Sequence, residues 1–239
     1  SRPFLLRMAR AAAGAFQRSL GMGSMCASVT VDSAKRGPRP GAGGKCGTGG
    51  EKCEASMLVL KSIRDAQDGK AHFPYASALK EIQNGRKTSH WIWYVWPCLK
   101  ALRPGTSKPH FLLPDFEAAV LYLTDDVLSQ RLEEITTVAI EQLERGAKPV
   151  VLFGSSTDAT KFAEAMTCFL LAALELKNEK FLQVFARALV ACSKGVLDEP
   201  TMRLLVGEYG LSQFRGFVRT EDVLASFSPE SSASALSSD

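Results

Sequence analysis

Apolar residues recur at helical spacing along most of the chain from about residue 55. In the first such stretch Met57, Leu60, Ile63 and Ala66 stand three residues apart, and Gly69 follows them as a helix stop. The same spacing recurs in five later segments, at residues 75–82, 115–122, 128–143, 162–173 and 181–192. Strand-like alternation is rare and no repeat period is visible. The pattern therefore predicts one compact all-α, multi-helix domain over residues 55–210.

Capping residues and helix breakers mark the predicted helix ends. Asp115 is a good N-cap for the helix that follows it. Ser156, Thr157 or Asp158 is expected to cap the long apolar helix that begins there. Pro200 suits the first turn of the last clear helix.

Two segments depart from this spacing. KPVVLFGSSTD, residues 148–158, is strand-like, because four consecutive apolar residues precede a glycine. KTSHWIWYVWP, residues 87–97, has a polar start and no polar side face, so it is buried all round as a helix or on both faces as a strand. Its residue types favour a strand and its helical surroundings favour a helix. We predict a helix that bends at Pro97, whose ring cannot continue it.

Charge is unevenly spread along the 239 residues, although the net charge is only +4. Residues 1–50 carry eight Lys and Arg against one acid, a net charge of +7. The remaining residues carry 21 basic and 24 acidic side chains, a net charge of −3. The predicted domain therefore lacks the basic footprint of a nucleic-acid-binding protein. No apolar run approaches the ~18 residues of a membrane span.

The terminal regions have the composition of tails. Residues 1–20 are rich in Arg and Ala and free of acids, with apolar residues on one helical face, as in a mitochondrial or plastid transit peptide. A basic amphipathic helix on an anionic membrane is the alternative, and without a transit peptide the expected location is cytoplasmic. A Gly/Pro-rich linker completes residues 1–54, and residues 211–239 form a Ser-rich tail predicted to be disordered.

Motifs for known chemistry are few. The six cysteines are expected to be mostly reduced thiols, and a redox pair of Cys46 and Cys53 is the alternative. The chain has no G-x-S-x-G elbow, no H-E-x-x-H motif and no complete phosphate-binding loop. The histidines His72, His90 and His110 are scattered, so neither a metal site nor a cofactor is predicted.

The tryptophan-rich segment carries the candidate chemistry. His90 is a candidate general acid or base, because an imidazole titrates near neutrality. Lys87 is placed to hold a phosphate or carboxylate, and the indole rings of Trp91 and Trp93 offer faces on which a flat ligand stacks. The alternative is that the tryptophans are core and that His90 only bonds nearby backbone.

Two motifs resemble a small all-helical family, domain of unknown function 1810. Residues 85–97, GRKTSHWIWYVWP, are similar to its signature G-x-K-x-S-H-W-M-W-x-x-F-P-Q. Phe153-Gly154, Asp158 and Lys161 resemble a second element, F-G-x-x-D-x-x-K. The resemblance covers about residues 70–210 and implies an all-α single domain but no activity. The calpastatin label that some members carry is not transferred, since that inhibitor type is disordered.

The sequence departs from this family in three places. Trp96 stands where the family usually has Phe, and Cys98 where it usually has Gln. Residues 104–110 lack the serines and tyrosine that often follow the first motif. If these positions contact a ligand, this chain binds a different ligand from other members, or none.

The resemblance strengthens the case for a ligand site. Asp158 and Lys161 fall at a predicted helix start, where backbone N–H groups favour anions. The first hypothesis is a domain that binds a small, flat, anionic, nucleotide-like ligand. Its binding residues are Lys87, Ser89, Trp91, Trp93 and Lys161, with His90 on the anion and Asp158 orienting Lys161 or a ligand hydroxyl.

Two further hypotheses remain open. The chain is an interaction subunit of an organellar assembly, which contacts a protein partner through its basic N-terminal segment and its C-terminal tail. Alternatively it is a hydrolase of a nucleotide or glycosidic bond, with His90 as base and Asp158 as its catalytic partner.

Overall fold

The computed structural model of the protein describes residues 48–70 and 72–227. Within these residues ten α-helices are joined by short turns and no β-strand is present, which confirms the predicted all-α class. Three 3-10 turns (Lys100–Leu102, Pro109–Phe111 and Ser212–Phe214) and one π-turn (Leu204–Glu208) complete the secondary structure of these residues. The α-helices are α1 (Thr48–Gln67), α2 (Tyr75–Gln83), α3 (Ile92–Val95), α4 (Phe116–Thr124), α5 (Asp126–Glu144), α6 (Pro149–Leu152), α7 (Ser156–Glu175), α8 (Glu179–Ser193), α9 (Glu199–Arg203) and α10 (Thr220–Ala225).

Helix ends follow the local chemistry closely. Asp115 caps α4 by accepting a hydrogen bond from the backbone N–H of Ala118 at 2.9 Å, as predicted. The cap of α7 is one residue earlier than predicted, because Ser155 accepts from the N–H of Asp158 at 3.0 Å. This frees the Asp158 carboxylate for a different partner.

The strand-like reading of residues 148–158 is wrong. Pro149–Leu152 forms the one-turn helix α6, which Pro149 opens at a position where its missing N–H is harmless. Only Leu152 is buried on this turn, whereas Val150 and Val151 are 52% and 53% exposed. Four apolar residues do not separate a short helix from a strand, and here only one side of the run meets the core.

Only the middle of the tryptophan-rich segment is helical. Ile92–Val95 forms the single turn α3, and Trp96 leaves the helix at φ −121 and ψ 73. The chain therefore bends at Pro97, as predicted. The polar residues of the segment, Lys87 to His90, precede the helix and lie in irregular chain that bends at Ser89 and His90.

The core is built around α7. From Phe162 to Ala173 almost every α7 side chain is buried, and the helix packs against α4, α6, α8 and α9. Helix α5 lies against α2, α4 and α8. This arrangement sets the first turn of α7 beside the tryptophan-rich segment.

The described helices extend beyond the predicted domain range. Helix α1 begins at Thr48 and α10 ends at Ala225, while residues from 53 onward group into one compact unit. The predicted transit-like segment, Cys46 and residues 228–239 of the Ser-rich tail lie outside the described residues. Within the described ranges, none of the helices has the length and apolarity that a membrane crossing requires.

Candidate functional site

A backbone contact joins the tryptophan-rich segment to the turn before α7. The N–H of Lys87 donates to the carbonyl of Leu152 at 2.7 Å. Gly154 follows with φ +80, and a Cβ atom there would lie 2.8 Å from the Lys87 carbonyl oxygen. Glycine is therefore required twice, once for the left-handed backbone and once for the close approach.

Two buried lysines share one carboxylate at this junction. The Nζ atoms of Lys87 and Lys161 donate to Asp158 Oδ2 and Oδ1 at 2.6 and 2.9 Å. Only 7% of Lys87 and 6% of Lys161 is exposed. Burial by itself raises the pKa of Asp158, but the two ammonium groups outweigh it and hold that pKa below its ordinary value. We call these three residues the lysine–aspartate cluster.

Both ammonium groups also approach indole rings. Lys161 Nζ lies 3.6 Å from the centroid of Trp93, and Lys87 Nζ lies 5.6 Å from that of Trp91. A desolvated cation–π contact of this kind is worth about 2 kcal/mol. The cluster therefore places two paired ammonium groups against the tryptophan-rich segment, and its Lys161 holds the Trp93 ring in its orientation.

Glu81 of α2 organises the start of the segment. Its carboxylate accepts hydrogen bonds from the backbone N–H groups of Thr88 and Ser89, from Ser89 Oγ and from Trp91 Nε1. Burial acts to raise the pKa of Glu81, but the hydrogen bonds lower it to about 2. Glu81 is therefore ionised at neutral pH and accepts every one of these bonds.

Two of the three tryptophans belong to the core. Trp91 and Trp96 are fully buried, with ring centroids 5.5 Å apart. Trp96 Nε1 donates to Thr136 Oγ1 at 3.0 Å, and the rings of Phe153 and Phe162 meet it edge-on. The indole at the position where the family usually has Phe thus has a hydrogen-bond partner of its own.

Trp93 faces a cleft of about 560 Å³, which we call the motif cleft. This volume lies within the range of small-molecule sites. The aromatic walls are Phe73, Trp93, Tyr94 and Phe111, and the polar side chains are His72, Ser89, His90 and Lys108. No carboxylate is among the described residues that line it. The lining of the cleft therefore combines aromatic rings with polar side chains that are cationic or neutral, and the cleft is open to solvent.

The histidines that are scattered in sequence converge here. The His72 ring centroid lies 5.1 Å from that of Phe111, at a near-perpendicular angle, and 5.7 Å from that of Tyr94. His90 is exposed and bonds no other described residue. The His110 ring lies against that of Phe111 at a tilt, with centroids 4.0 Å apart, and burial and the nearby charge of Lys108 lower the pKa of His110. Even so, the described residues contain no group of three ligands that would hold a metal ion.

A second cleft, of about 390 Å³, offers less chemistry. Its charged side chains are Lys100 and Arg103, and the Arg103 guanidinium is bonded to the buried Glu164. Cys98 lies behind it, and burial raises the pKa of its thiol to about 12. A thiol with that pKa is almost entirely protonated at neutral pH, so Cys98 is a poor nucleophile.

The structure separates the predicted site residues into two groups. Lys87, Asp158 and Lys161 meet in the lysine–aspartate cluster, away from the lining of the motif cleft. His90, Ser89 and Trp93 line the cleft, whereas Trp91 is sealed beneath it. The structure shows no contact between His90 and Asp158, whose two oxygens each accept from a lysine.

Sequence reasoning missed three residues of this region. Glu81 lies on a helix with no motif around it, and Lys108 lies in a loop where charged residues are common. His72 could have been singled out only as one of three histidines, because its loop has no periodicity. The role of His72 depends on ring contacts with Tyr94 and Phe111, 22 and 39 positions away along the chain. The role of Glu81 depends on four donors from residues 88–91.

Comparison with known proteins agrees with the fold and the motifs. A profile described as "Protein of unknown function (DUF1810)" matches residues 58–205. The crystal structure of the conserved hypothetical protein Rv1873 from Mycobacterium tuberculosis is similar, at 30% identity and a TM-score of 0.51, over 62% of this chain and 96% of that one. No curated protein matches. The chain belongs to the DUF1810 family, whose description gives no function.

Proposed function

We propose that the domain binds a small, flat, anionic ligand of nucleotide type in the motif cleft. The observation that carries the proposal is the composition of the cleft: aromatic walls, an ammonium group and two imidazoles, with no lining carboxylate. Such a site attracts negative charge and a planar ring at the same time.

The aromatic walls support a planar ligand. Trp93 is held in place from below by Lys161, whose ammonium lies against its ring. Tyr94 is fixed by its hydroxyl, which donates to the Phe73 carbonyl at 2.8 Å. Rings that are already immobilised lose little entropy when a ligand stacks on them.

The charge of the lining supports an anion. Lys108 makes no ion pair with any described residue, so its ammonium is available to a ligand. The imidazoles of His72 and His90 add two N–H donors and, when protonated, positive charge. In this proposal Lys87 and Lys161 hold the site in shape, since Asp158 already occupies both ammonium groups.

The test is a titration of the full chain with adenosine monophosphate, adenosine diphosphate, a nicotinamide dinucleotide and ribose 5-phosphate, followed by tryptophan fluorescence. The expected result is a saturable change for at least one probe that is lost in Trp93→Phe, because the other two indoles are buried. Calorimetry then checks that Trp93→Phe still folds and measures its residual binding.

The variant Lys108→Ala tests in the same titration whether the Lys108 ammonium contributes to ligand affinity. We expect its affinity to fall at least about tenfold, equivalent to about 1.4 kcal/mol. Lys180→Ala is the matched control, because Lys180 is exposed and pairs with Glu133 on the surface of α5. Equal affinities for the two variants, or no saturable response to any probe by fluorescence and calorimetry, would overturn the proposal.

A further inference from the structure

We infer that the motif cleft cleaves a short ribonucleotide phosphodiester, with His90 as base, His72 as acid and Lys108 on the phosphate. The inference rests on the proposed function, because the ligand must first bind in this cleft. It replaces Asp158 with His72 as the catalytic partner of His90. Its support is the presence of two imidazoles, one ammonium group and one oriented hydroxyl in a single cleft of about 560 Å³.

The other acid–base candidates near the cleft are already committed. Both oxygens of Asp158 accept from buried lysines. Glu81 accepts four hydrogen bonds, and a carboxylate with a pKa of about 2 is a weak base. The imidazoles of His72 and His90 face the cleft, and an imidazole can both accept and donate a proton.

Ser89 indicates what the ligand must carry. Since Glu81 is ionised and has no proton, the 2.5 Å bond between Ser89 Oγ and Glu81 Oε1 must use the serine proton. Towards the cleft the Ser89 oxygen therefore presents lone pairs only. It accepts a hydrogen bond from a ligand hydroxyl, and a ribose supplies one next to its phosphate.

The positions of the two histidines divide their roles. His90 directly follows Ser89, so it is beside the hydroxyl that Ser89 holds. His72 packs on Phe111, whose backbone N–H donates to the Lys108 carbonyl at 3.2 Å, and Lys108 also lines the cleft. This places the base at the sugar and the acid and the ammonium at the phosphate and leaving group.

The reaction balances without another reactant. Neutral His90 takes the proton of the ribose 2′-hydroxyl while the 2′-oxygen forms a bond to phosphorus. The bond between phosphorus and the 5′-oxygen breaks, and protonated His72 gives its proton to that oxygen. The products are a nucleoside 2′,3′-cyclic phosphate and a free 5′-hydroxyl, and Lys108 offsets the charge that grows on the phosphoryl oxygens.

The charge of the domain favours a short substrate over a polymer. From residue 51 onward acidic side chains outnumber basic ones, 24 to 21. A long nucleic acid needs a basic surface to neutralise many phosphates. One phosphodiester between two nucleosides needs only the local charge of the cleft.

The experiment uses the full chain and uridylyl-(3′→5′)-adenosine, with the analogue that lacks the attacking 2′-hydroxyl as control. Chromatography should show uridine 2′,3′-cyclic phosphate and adenosine in equal amounts from the ribose substrate and no cleavage of the deoxy analogue. His72→Gln and His90→Gln, purified in parallel, should each lose at least about 100-fold in rate. Glutamine keeps a hydrogen-bonding amide, so circular dichroism and thermal melting should match the parent.

Binding of the deoxy analogue separates the two proposals. If it binds with a Trp93 signal but the ribose substrate is not cleaved, this inference is overturned and the proposed function stands. If neither compound gives a signal or is cleaved, this inference is overturned, and the proposed function is decided by its own titration with the four nucleotide and sugar phosphate probes. Cleavage that survives both histidine substitutions comes from a contaminant or another site and also overturns the inference.

Discussion

The two sides of the segment 85–97 use their polar groups in opposite ways. On the inner side, Lys87, Asp158, Lys161 and Glu81 are joined to one another, to backbone or to indoles by short bonds. On the cleft side, His90 and the ammonium of Lys108 have no such partner among the described residues. The segment thus supplies Lys87 to the inner side and His90 to the cleft side, and the other groups come from elsewhere in the chain.

The difference separates folding from binding. A buried charge is tolerated only when it is paired and hydrogen-bonded, so packing alone explains why the inner groups are present. No such requirement explains an ammonium and two imidazoles around an open aromatic cleft. Mutations on the inner side should therefore lower the stability of the domain, and mutations on the cleft side should lower its affinity for the ligand.

The largest expected effect is at the shared carboxylate. Asp158→Ala leaves two buried ammonium groups without a counter-charge, and we expect the free energy of unfolding to fall by about 3–5 kcal/mol. Denaturation in guanidinium chloride, followed by circular dichroism, measures it. Asp65→Ala is the matched control, because Asp65 also bonds two lysines, Lys61 and Lys70, which are 64% and 67% exposed.

The control variant should unfold almost as the parent does, since exposed ion pairs contribute little. Similar losses at Asp65 and Asp158 would mean that burial is not what makes the inner cluster necessary. The proposed difference between the two sides of the segment would then be contradicted for the inner side.

The next effect is at the close approach between Gly154 and Lys87. Gly154→Ala imposes a left-handed alanine, about 1–2 kcal/mol, and a steric contact with the Lys87 carbonyl that adds about 1 kcal/mol or more. Gly210→Ala is the control, because Gly210 has φ +68 and open space where a Cβ would lie. Thermal unfolding of both variants isolates the contact, and equal losses would show that the approach is not tight.

Helices α5 and α8 could be predicted from the sequence because their burial is one-sided and periodic. α4, α5 and α8 each present apolar residues at helical spacing and end at a cap or a glycine. Helix α6 was mistaken for strand-like structure, since four residues are too few to show a period. Hydrophobic periodicity therefore predicts the long helices but does not predict helices of a single turn.

The contacts of the inner side could be predicted in part from the sequence, whereas the cleft could not. Asp158 and Lys161 lie three residues apart on one helix, so their contact follows from helical geometry. Lys87 is 71 positions away from Asp158, and only the two motifs suggested that they belong together. His72 and Lys108 come from loops, whose position depends on packing that no local pattern encodes.

The smallest of these stability effects, and the most specific in its pH dependence, is at Glu81. The folded pKa of about 2 lies below the ordinary value of 4.5, so ionised Glu81 stabilises the fold above about pH 4.5 and this contribution is lost as the pH falls towards 2. In Glu81→Gln the amide N–H₂ faces donors that need an acceptor. We expect a loss of about 1–2 kcal/mol at pH 7, allowing for solvent screening of this partly exposed group.

The pH dependence distinguishes Glu81 from a carboxylate that only adds surface charge. The difference in unfolding free energy between the parent and Glu81→Gln should be largest at neutral pH and should shrink between pH 4.5 and pH 2. Glu141→Gln, on the exposed face of α5, should show little difference at any pH. A constant gap for Glu81→Gln would mean that shape and not charge holds Ser89, and the assignment of the serine proton would have to be withdrawn.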